Sequence, residues 1–374
     1  MLTKPSLGQI DHNYLNYQFG DAVQIWLKIQ RVVERADFTL GKELREFESR
    51  WARYVGTHYA IGVNSGTDAL ILSLKALNIK GEVLVPAFGF VASAAAVVLA
   101  GAQLKFVDVG DDFNIDVDHL ESQITPNTEA IMPVHWAGRP CRMSDITKIA
   151  YDNSLIVIED ACHAIGARHK EKQCGSFGYS AAFSLHPLKN VNVWGDGGVI
   201  TTNNYTVASR LLKLRNHGLS DRNTCDHWGH NSRLDTIQAV VANHIFDRLP
   251  NIITRRRENA NHLDSLLHEV PDIKLPDCHP GMTYYLYSIR AEQRDRLAAH
   301  LNDNGVDAKV HYPVPLHLQA AAAKLGHKRG DFPGAEMLCD QTLSLPVHEY
   351  VSQMDLERMA KLIHDFYGVQ WPFN

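Results

Sequence analysis

Hydrophobic positions change their spacing near residue 59 of the chain. Before that point, residues 21–34 and 41–54 carry apolar side chains at helical intervals, which predicts two amphipathic helices. After it, short apolar runs alternate with helical segments, beginning with a predicted strand at 59–63 and a predicted helix at 69–77. This alternation predicts a mostly parallel sheet with helices on both faces.

The pattern changes again in the last third of the chain. A proline- and acid-rich stretch at 270–280 precedes predicted strands at 284–290 and 308–312. We therefore predict the α/β class, with the sheet in a large domain at residues 1–250 that also includes an N-terminal arm and helices. Residues 251–374 are predicted to form a smaller C-terminal α+β domain.

Composition and charge argue against several classes of protein. The 374 residues are 45% hydrophobic and 21% charged, which is typical of an ordinary globular protein. The formal net charge of −5 comes without a basic stripe, so we expect no nucleic-acid partner. No apolar run has the length of a membrane span, and residues 1–20 lack an apolar signal region, so we expect a cytoplasmic protein without membrane contact.

The spacing of cysteine and histidine gives no support to a metal site. The six cysteines occur singly, without a CxxC pair, which is typical of a reduced, cytosolic protein. The 20 histidines include no HExxH motif, and pairs such as His227/His230 and His311/His317 lie in polar or proline-broken stretches. We therefore expect no bound metal.

One irregular turn presents a lysine between two apolar runs. The runs 181–185 and 199–202 are predicted strands, and Pro187 with the glycines of 195–198 prevents a regular helix or central strand between them. Lys189 therefore lies on an irregular turn. The ordinary alternative is a lysine on an exposed hairpin.

Two upstream positions give this lysine chemical partners, because ligands of parallel sheets bind beyond the carboxyl ends of the strands. Gly66 and Thr67 follow a predicted strand and precede a predicted helix, which suits an anion, although a plain helix cap explains them equally well. Asp160 follows the apolar run 155–158 and can hold a cation, a metal or a protonated ring nitrogen. The alternative for Asp160 is an N-cap of a following helix.

Together these residues meet the needs of pyridoxal phosphate. That cofactor requires a lysine to form an imine, an aspartate to keep the pyridine nitrogen protonated, and a phosphate cradle. Phe90, at the start of a predicted helix, can stack on the ring, although a core position explains a lone phenylalanine as well.

Several sequence blocks in a fixed order resemble one family, the pyridoxal phosphate-dependent nucleotide-sugar aminotransferases of the DegT/StrS group. Members of that group have the fold type I, aspartate aminotransferase-like architecture, which implies a large domain with a mostly parallel seven-stranded sheet between helices and a smaller C-terminal α+β domain. The resemblance covers nearly the whole chain and is carried by GTDAL (66–70), VPAFGFVASAAAV (85–97), ITPNTEAIMPVHWAG (124–138), IEDACHAIGA (158–167), FSLHPLKN (183–190) with GDGG (195–198), LRNHG (214–218), GHNSRLDTIQA (229–239) and HYPVP (311–315).

The resemblance implies a cofactor site built from these blocks. Lys189 would bind the cofactor as an imine, Asp160 would pair with the pyridine nitrogen, and Phe90 would stack on the ring. His163, where the family usually has glutamine, would contact the side of the ring. The phosphate would be held by Gly66, Thr67 and Ser184.

The resemblance also implies a homodimer with shared active sites. Asn231 resembles the family residue that reaches the phosphate bound by the neighbouring subunit. The residues that would face the sugar nucleotide are Arg233, His311 and Tyr312.

The implied reaction is a transamination, since related sugar dehydratases have histidine where this chain has Lys189. L-glutamate would donate the amino group and leave as 2-oxoglutarate, and the acceptor would be an NDP-3-keto-(6-deoxy)hexose. An NDP-4-keto-6-deoxyhexose is the alternative acceptor. From other classes, the alternatives are a non-catalytic pyridoxal phosphate-binding regulator and a metal hydrolase.

Overall fold

The structure, a computed structural model, describes residues 8–372. Its α-helices are α1 (Leu15–Gln18), α2 (Ala22–Arg35), α3 (Lys42–Val55), α4 (Gly66–Ala76), α5 (Val91–Ala100), α6 (Val117–Ser122), α7 (Met143–Asp152), α8 (Tyr205–Leu214), α9 (Thr236–Phe246), α10 (Leu249–Leu267), α11 (Arg294–Asp303), α12 (Pro333–Gln341) and α13 (Gln353–Tyr367). Its strands are β1 (Tyr59–Val63), β2 (Glu82–Pro86), β3 (Gln103–Val107), β4 (Thr128–Ile131), β5 (Ile156–Asp160), β6 (Arg168–His169), β7 (Lys172–Gln173), β8 (Ser180–Ser184), β9 (Gly198–Thr202), β10 (Ile273–Lys274), β11 (Tyr287–Ala291) and β12 (Thr342–Leu345). Short 3-10 helices lie at Trp136–Gly138, Leu316–Leu318 and Ala320–Leu325.

A seven-stranded sheet forms the centre of the molecule, with strand order β1-β9-β8-β5-β4-β2-β3. The pairs from β8 to β3 are parallel, whereas β9 runs antiparallel to both of its neighbours. The inner strands read as short apolar runs because helices cover both faces, as the fully buried Val83, Leu84 and Val85 of β2 show. The predicted α/β class with a mostly parallel seven-stranded sheet is confirmed.

A second, antiparallel sheet has the order β10-β11-β12 and packs with α10, α11 and α13 in the C-terminal part of the chain. The N-terminal arm joins this part, since Ile10 bridges to Val306 and is buried against it. Helix α10 begins at Leu249, beside the boundary predicted at residue 250. That domain boundary stays a prediction, and residues 1–7 of the predicted arm lie outside the described residues.

Local chemistry explains where several elements begin and end. The hydroxyl of Ser352 accepts a hydrogen bond from the N–H of Asp355, and the Asp355 side chain accepts from the Ser352 N–H, which forms a capping box at α13. Helix α3 ends at Gly56, whose φ of 82° is a left-handed value that glycine adopts without strain.

Two expectations for individual segments, and the alternative role given for Asp160, are wrong. The predicted strand at 308–312 makes a single bridge, from Lys309 to Ser344 of β12, and does not continue as a strand. Helix α4 begins three residues before the predicted start, since Ser65 and not Thr67 is its cap. No helix begins after Asp160, so it is not an N-cap.

Two further findings concern the described residues as a whole. Within residues 8–372, no helix is both long and apolar enough to cross a membrane. The same part of the chain contains no group of three or more His, Cys, Asp or Glu side chains that could hold a metal ion.

Candidate active site

A cavity of about 370 Å³ lies at the carboxyl edge of the parallel strands. That volume is in the range of small-molecule sites. The cavity brings together eight of the residues predicted for the site: Gly66, Thr67, Phe90, Asp160, His163, Ser184, Lys189 and Tyr312.

The first turn of α4 forms one end of this cavity. The side chain of Ser65 accepts a hydrogen bond of 3.0 Å from the N–H of Asp68, which leaves the N–H groups of Gly66 and Thr67 ahead of the first intrahelical bond. A Cβ atom at Gly66 would lie 2.8 Å from Cβ of Ser184 and 2.9 Å from Sγ of Cys162. Glycine is therefore required here for the close approach of α4 to the end of β8, and the resulting nest of N–H groups suits an anion.

Asp160 ends β5 and is 5% exposed. Its Oδ2 accepts a hydrogen bond of 2.6 Å from Oγ of Ser93, and its Oδ1 accepts one of 3.1 Å from the N–H of Cys162. These charge-assisted bonds orient the carboxylate at the cavity wall, where it can meet a cationic group.

The preceding residue, Glu159, points to the other face of the same strand and is fully buried. One carboxylate oxygen accepts from the N–H of Gly175 at 2.7 Å and contacts Nε2 of His135 at 3.0 Å. The other accepts from the N–H groups of Phe177 and Gly178 at 2.7 and 2.8 Å. Glu159 therefore fixes the loop between β7 and β8, whereas Asp160 faces the cavity.

Lys189 lies on the turn that follows β8. Its N–H donates to the carbonyl of His186 at 2.8 Å, and its own carbonyl accepts from Oη of Tyr14 at 3.3 Å and from Nδ2 of Asn192 at 3.1 Å. Its Nζ donates to Oη of Tyr285 at 3.2 Å and lies 4.3 Å from the centre of that ring. The turn is thus held by the N-terminal arm, and the amine is held inside the cavity.

Aromatic rings form the remaining wall. The ring of Phe90 is half exposed at the start of α5 and lies 5.6 Å from the ring of Tyr312. The rings of His163 and Tyr285 are 4.4 Å apart. Burial, with further contributions from the charges of Lys189 and His311, holds the pKa of His163 well below its usual value, so this imidazole is neutral at pH 7.

Three predicted site residues do not line this cavity. His311 lines a neighbouring cavity of about 40 Å³ that shares Leu188 and Tyr285 with the first. Arg233 donates from Nη1 to Oδ1 of Asn216 at 2.9 Å. Asn231 is solvent-exposed outside the cavity.

Several lining residues were missed by sequence reasoning, namely Ser65, Ser93, Cys162, His186, Asp196 and Tyr285. Ser65 carried a usable signal, since serine directly before a glycine-started helix is a favoured N-cap. Tyr285 carried none, because its contact with Lys189 joins residues 96 positions apart.

The sheet topology, the cavity at its carboxyl edge and the lysine on the β8–β9 connection define a fold type I aminotransferase of the pyridoxal phosphate-dependent class. The chain belongs to the DegT/DnrJ/EryC1/StrS aminotransferase family, whose model matches residues 22–364. The predicted family and the predicted enzyme class, an aminotransferase, are confirmed.

Three similar proteins illustrate this relationship. A dTDP-3-amino-3,4,6-trideoxy-alpha-D-glucose transaminase of Streptomyces venezuelae is 37% identical over 343 residues, which are 90% of each chain. The structure of S. venezuelae DesV in complex with a ketimine intermediate superposes with a TM-score of 0.94 at 35% identity, over 96% of this chain and 99% of that one. NtdA of Bacillus subtilis with bound cofactor PMP gives a TM-score of 0.91 at 28% identity, over 98% of this chain and 87% of that one.

Proposed function

We propose that this protein uses pyridoxal phosphate to transfer the amino group of L-glutamate to a nucleotide-linked 3-keto-sugar. The observation that carries the proposal is the convergence of the Lys189 amine, the Asp160 carboxylate and the free N–H groups of Gly66 and Thr67 on one cavity. These are the three groups that the cofactor requires.

The residues present fit the cofactor. The N–H groups that open α4 approach the cavity without an intervening side chain, because a Cβ at Gly66 would overlap Ser184. The buried Asp160 has no cationic partner among the described residues, and a protonated ring nitrogen would supply one. The half-exposed ring of Phe90 offers a stacking face at the cavity wall.

Each residue then has a distinct task. The N–H groups of Gly66 and Thr67 and the hydroxyl of Ser184 would hold the phosphate, Phe90 and His163 would contact the ring, and Asp160 would hold the proton on its nitrogen. When bound, pyridoxal phosphate supplies an electron sink for the carbanion of the substrate. Lys189 would anchor the cofactor and, once released, move a proton through Nζ as general acid and base.

The identity of the acceptor is supported by the relatives. The S. venezuelae transaminase is named for a dTDP-linked 3-amino sugar, which favours a ketone at carbon 3 over the 4-keto alternative. Tyr312 lies in the cavity wall and would contact this substrate. Arg233 and His311, outside the cavity, stay predictions for the sugar-nucleotide site.

The proposal includes a homodimer in which Asn231 reaches the phosphate of the neighbouring subunit. In support, Asn231 is exposed and does not line its own chain's cavity, so its side chain is accessible to a second copy. Mixing Lys189→Ala and Asn231→Ala subunits tests this arrangement, because one site of the mixed dimer regains both residues. Activity well above that of either variant is expected, and the absence of any recovery contradicts the shared site.

The six unpaired cysteines support a reducing, cytoplasmic location.

An absorption spectrum of the protein with pyridoxal phosphate, before and after L-glutamate, tests the reaction. A visible band is expected to form, and to disappear with stoichiometric release of 2-oxoglutarate. Lys189→Ala is expected to lose this behaviour, whereas Lys148→Ala, whose side chain is 76% exposed on α7, is expected to retain it. A panel of 3-keto and 4-keto sugar nucleotides then identifies the acceptor.

Each contrary outcome is informative. A wild-type protein that forms no lysine-dependent band contradicts the cofactor assignment. A band that does not change on addition of L-glutamate contradicts the assignment of L-glutamate as the amino donor. A non-catalytic, pyridoxal phosphate-binding regulator then explains the protein better.

A further inference from the structure

Tyr285 is the hydrogen-bond partner of the lysine amine. Its Oη lies 3.2 Å from Nζ of Lys189, and its ring centre lies 4.3 Å from the same atom. The structure gives Nζ no other hydrogen bond and no ion pair within residues 8–372. The position of the amine in the cavity therefore depends on this one side chain.

The tyrosine is held firmly enough to serve as a support. Its carbonyl accepts a hydrogen bond of 3.2 Å from Nη1 of the buried Arg256, and its ring lies 4.4 Å from that of His163. The flanking N–H groups of Thr283 and Leu286 donate to the carbonyls of Gly138 and Ala137 at 3.0 and 3.4 Å. Tyr285 is thus anchored to the β4–α7 connection on one side, while its hydroxyl projects to Lys189.

We propose that Tyr285 is a positioning residue that holds the free amine of Lys189 in place between its two proton transfers. The proposal rests on the proposed function, because in a transaminase the lysine leaves the cofactor and then moves a proton between two nearby carbons. A lysine side chain is a flexible four-carbon stem with high rotamer entropy, so a released amine without a partner samples many positions.

The hydroxyl suits both protonation states of the amine. When Nζ is an ammonium group, it donates to Oη as seen here. When Nζ is neutral, the tyrosine O–H can donate to its lone pair. Tyr285 forms no bond to carbon in this scheme, and the proton that Lys189 takes from one carbon is returned from the same nitrogen to the other.

The variant Tyr285→Phe tests the proposal, since it keeps the ring and removes only the oxygen. Two rates are measured: the reaction of the apo-protein's lysine with added pyridoxal phosphate, and the single-turnover reaction of the loaded protein with L-glutamate. Both are expected to fall about tenfold, the scale of losing a fixed orientation for one flexible side chain. Glutamate deuterated at the α-carbon is expected to show a larger isotope effect in the variant, because proton transfer then limits the rate.

Tyr284→Phe is the matched control. Tyr284 is the adjacent tyrosine, it is 2% exposed, and its hydroxyl has no hydrogen-bond partner among the described residues. This variant is expected to leave both rates and the isotope effect unchanged.

Two results would overturn the proposal. The first is a Tyr285→Phe protein that has both rates at the wild-type level. The second is a Tyr285→Phe protein that reacts more slowly with an unchanged isotope effect, and whose fold-loss in rate equals its fold-loss in affinity for the cofactor. If Tyr285→Phe does not fold, Tyr285→His and Tyr285→Leu are compared instead. The histidine variant keeps a ring nitrogen that can accept a hydrogen bond from Nζ, so it is expected to react with L-glutamate faster than the leucine variant. The reverse order contradicts the proposal. A wild-type protein that does not react with glutamate contradicts the proposed function instead.

Discussion

Ser93 donates a hydrogen bond of 2.6 Å to Oδ2 of Asp160, and both side chains are buried. Ser93 lies in the first turn of α5 and Asp160 at the end of β5, so the bond joins a helix on one face of the sheet to the strand that supplies the carboxylate. The orientation of the candidate cofactor-binding carboxylate is therefore set by the Ser93 hydroxyl together with the N–H of Cys162.

We expect Ser93→Ala to lower the free energy of unfolding of the apo-protein by about 1–3 kcal/mol, because a buried acceptor loses its donor. Urea unfolding measures this change. Ser73→Ala is the control, since Ser73 is also a buried helical serine, and its hydroxyl has no partner within the described residues. If both substitutions change the free energy of unfolding equally, the hydrogen bond from Ser93 to Asp160 does not stabilise the fold.

Asp160→Asn should retain some cofactor and slow the half-reaction with L-glutamate by about 100-fold or more, the scale of losing one preorganised electrostatic partner. The amide keeps the shape of the side chain but cannot balance a protonated ring nitrogen. Single-turnover absorbance at saturating pyridoxal phosphate measures the rate. An unimpaired variant would mean that another group protonates the ring.

Unlike Asp160→Asn, Glu159→Gln should lower the stability of the fold and leave the rate of the half-reaction nearly unchanged. The substitution removes a buried charge that accepts from three backbone N–H groups and contacts His135, and it places an amide N–H₂ among donors. We expect the free energy of unfolding to fall by about 3 kcal/mol, with little change in the half-reaction rate of the folded protein. A large kinetic loss without destabilisation would contradict this division of labour between the two neighbouring carboxylates.

Histidines beside the active site should make the fold acid-sensitive. Burial is the main cause that lowers the pKa of His12 to about 3, of His311 to about 4 and of His348 to about 4, all from 6.5. Each binds fewer protons in the folded than in the unfolded state, so the free energy of unfolding decreases as the pH falls from 6.5 towards 4. The slope is about 1 kcal/mol per pH unit for each histidine.

Urea unfolding between pH 4.5 and 7 tests this expectation at about half-unit steps. His348→Gln should reduce the slope of the free energy of unfolding against pH by the contribution of one histidine. His268→Gln, at an exposed position, serves as the surface control. A variant whose stability changes equally at every pH would show that His348 contributes packing alone.

Tyr14→Phe should weaken the support of the lysine turn. The Tyr14 hydroxyl donates to the carbonyls of Leu188 at 3.0 Å and Lys189 at 3.3 Å, and its removal should lower the free energy of unfolding by about 1 kcal/mol. The half-reaction should also slow, because the backbone that carries the amine is less well fixed. Tyr17→Phe is the control, since the Tyr17 ring is 39% exposed. If the two variants have the same stability and the same half-reaction rate, the Tyr14 hydroxyl of the N-terminal arm does not support the function of Lys189.

The fold was predictable where local patterns are strong. Apolar runs placed β1 at its observed bounds, and their alternation with helical segments indicated the parallel sheet. The pattern failed at 308–312, where strand-like residues make only one bridge, from Lys309 to Ser344 of β12. Strand propensity describes a segment, whereas pairing depends on which distant segment arrives beside it.

The chemistry of the candidate site divides in the same way. The sequence by itself determined the sheet, the irregular turn at Lys189 and the place of Asp160 at a strand end, because these follow from spacing, from proline and glycine, and from the rule that parallel strands end at one edge. Only the tertiary structure decided that Ser93 orients Asp160, that Tyr14 supports the Lys189 carbonyl and that Tyr285 holds its amine. Those contacts join residues 67, 175 and 96 positions apart, and no local periodicity encodes which distant side chains meet when the sheet, the arm and the C-terminal part pack together.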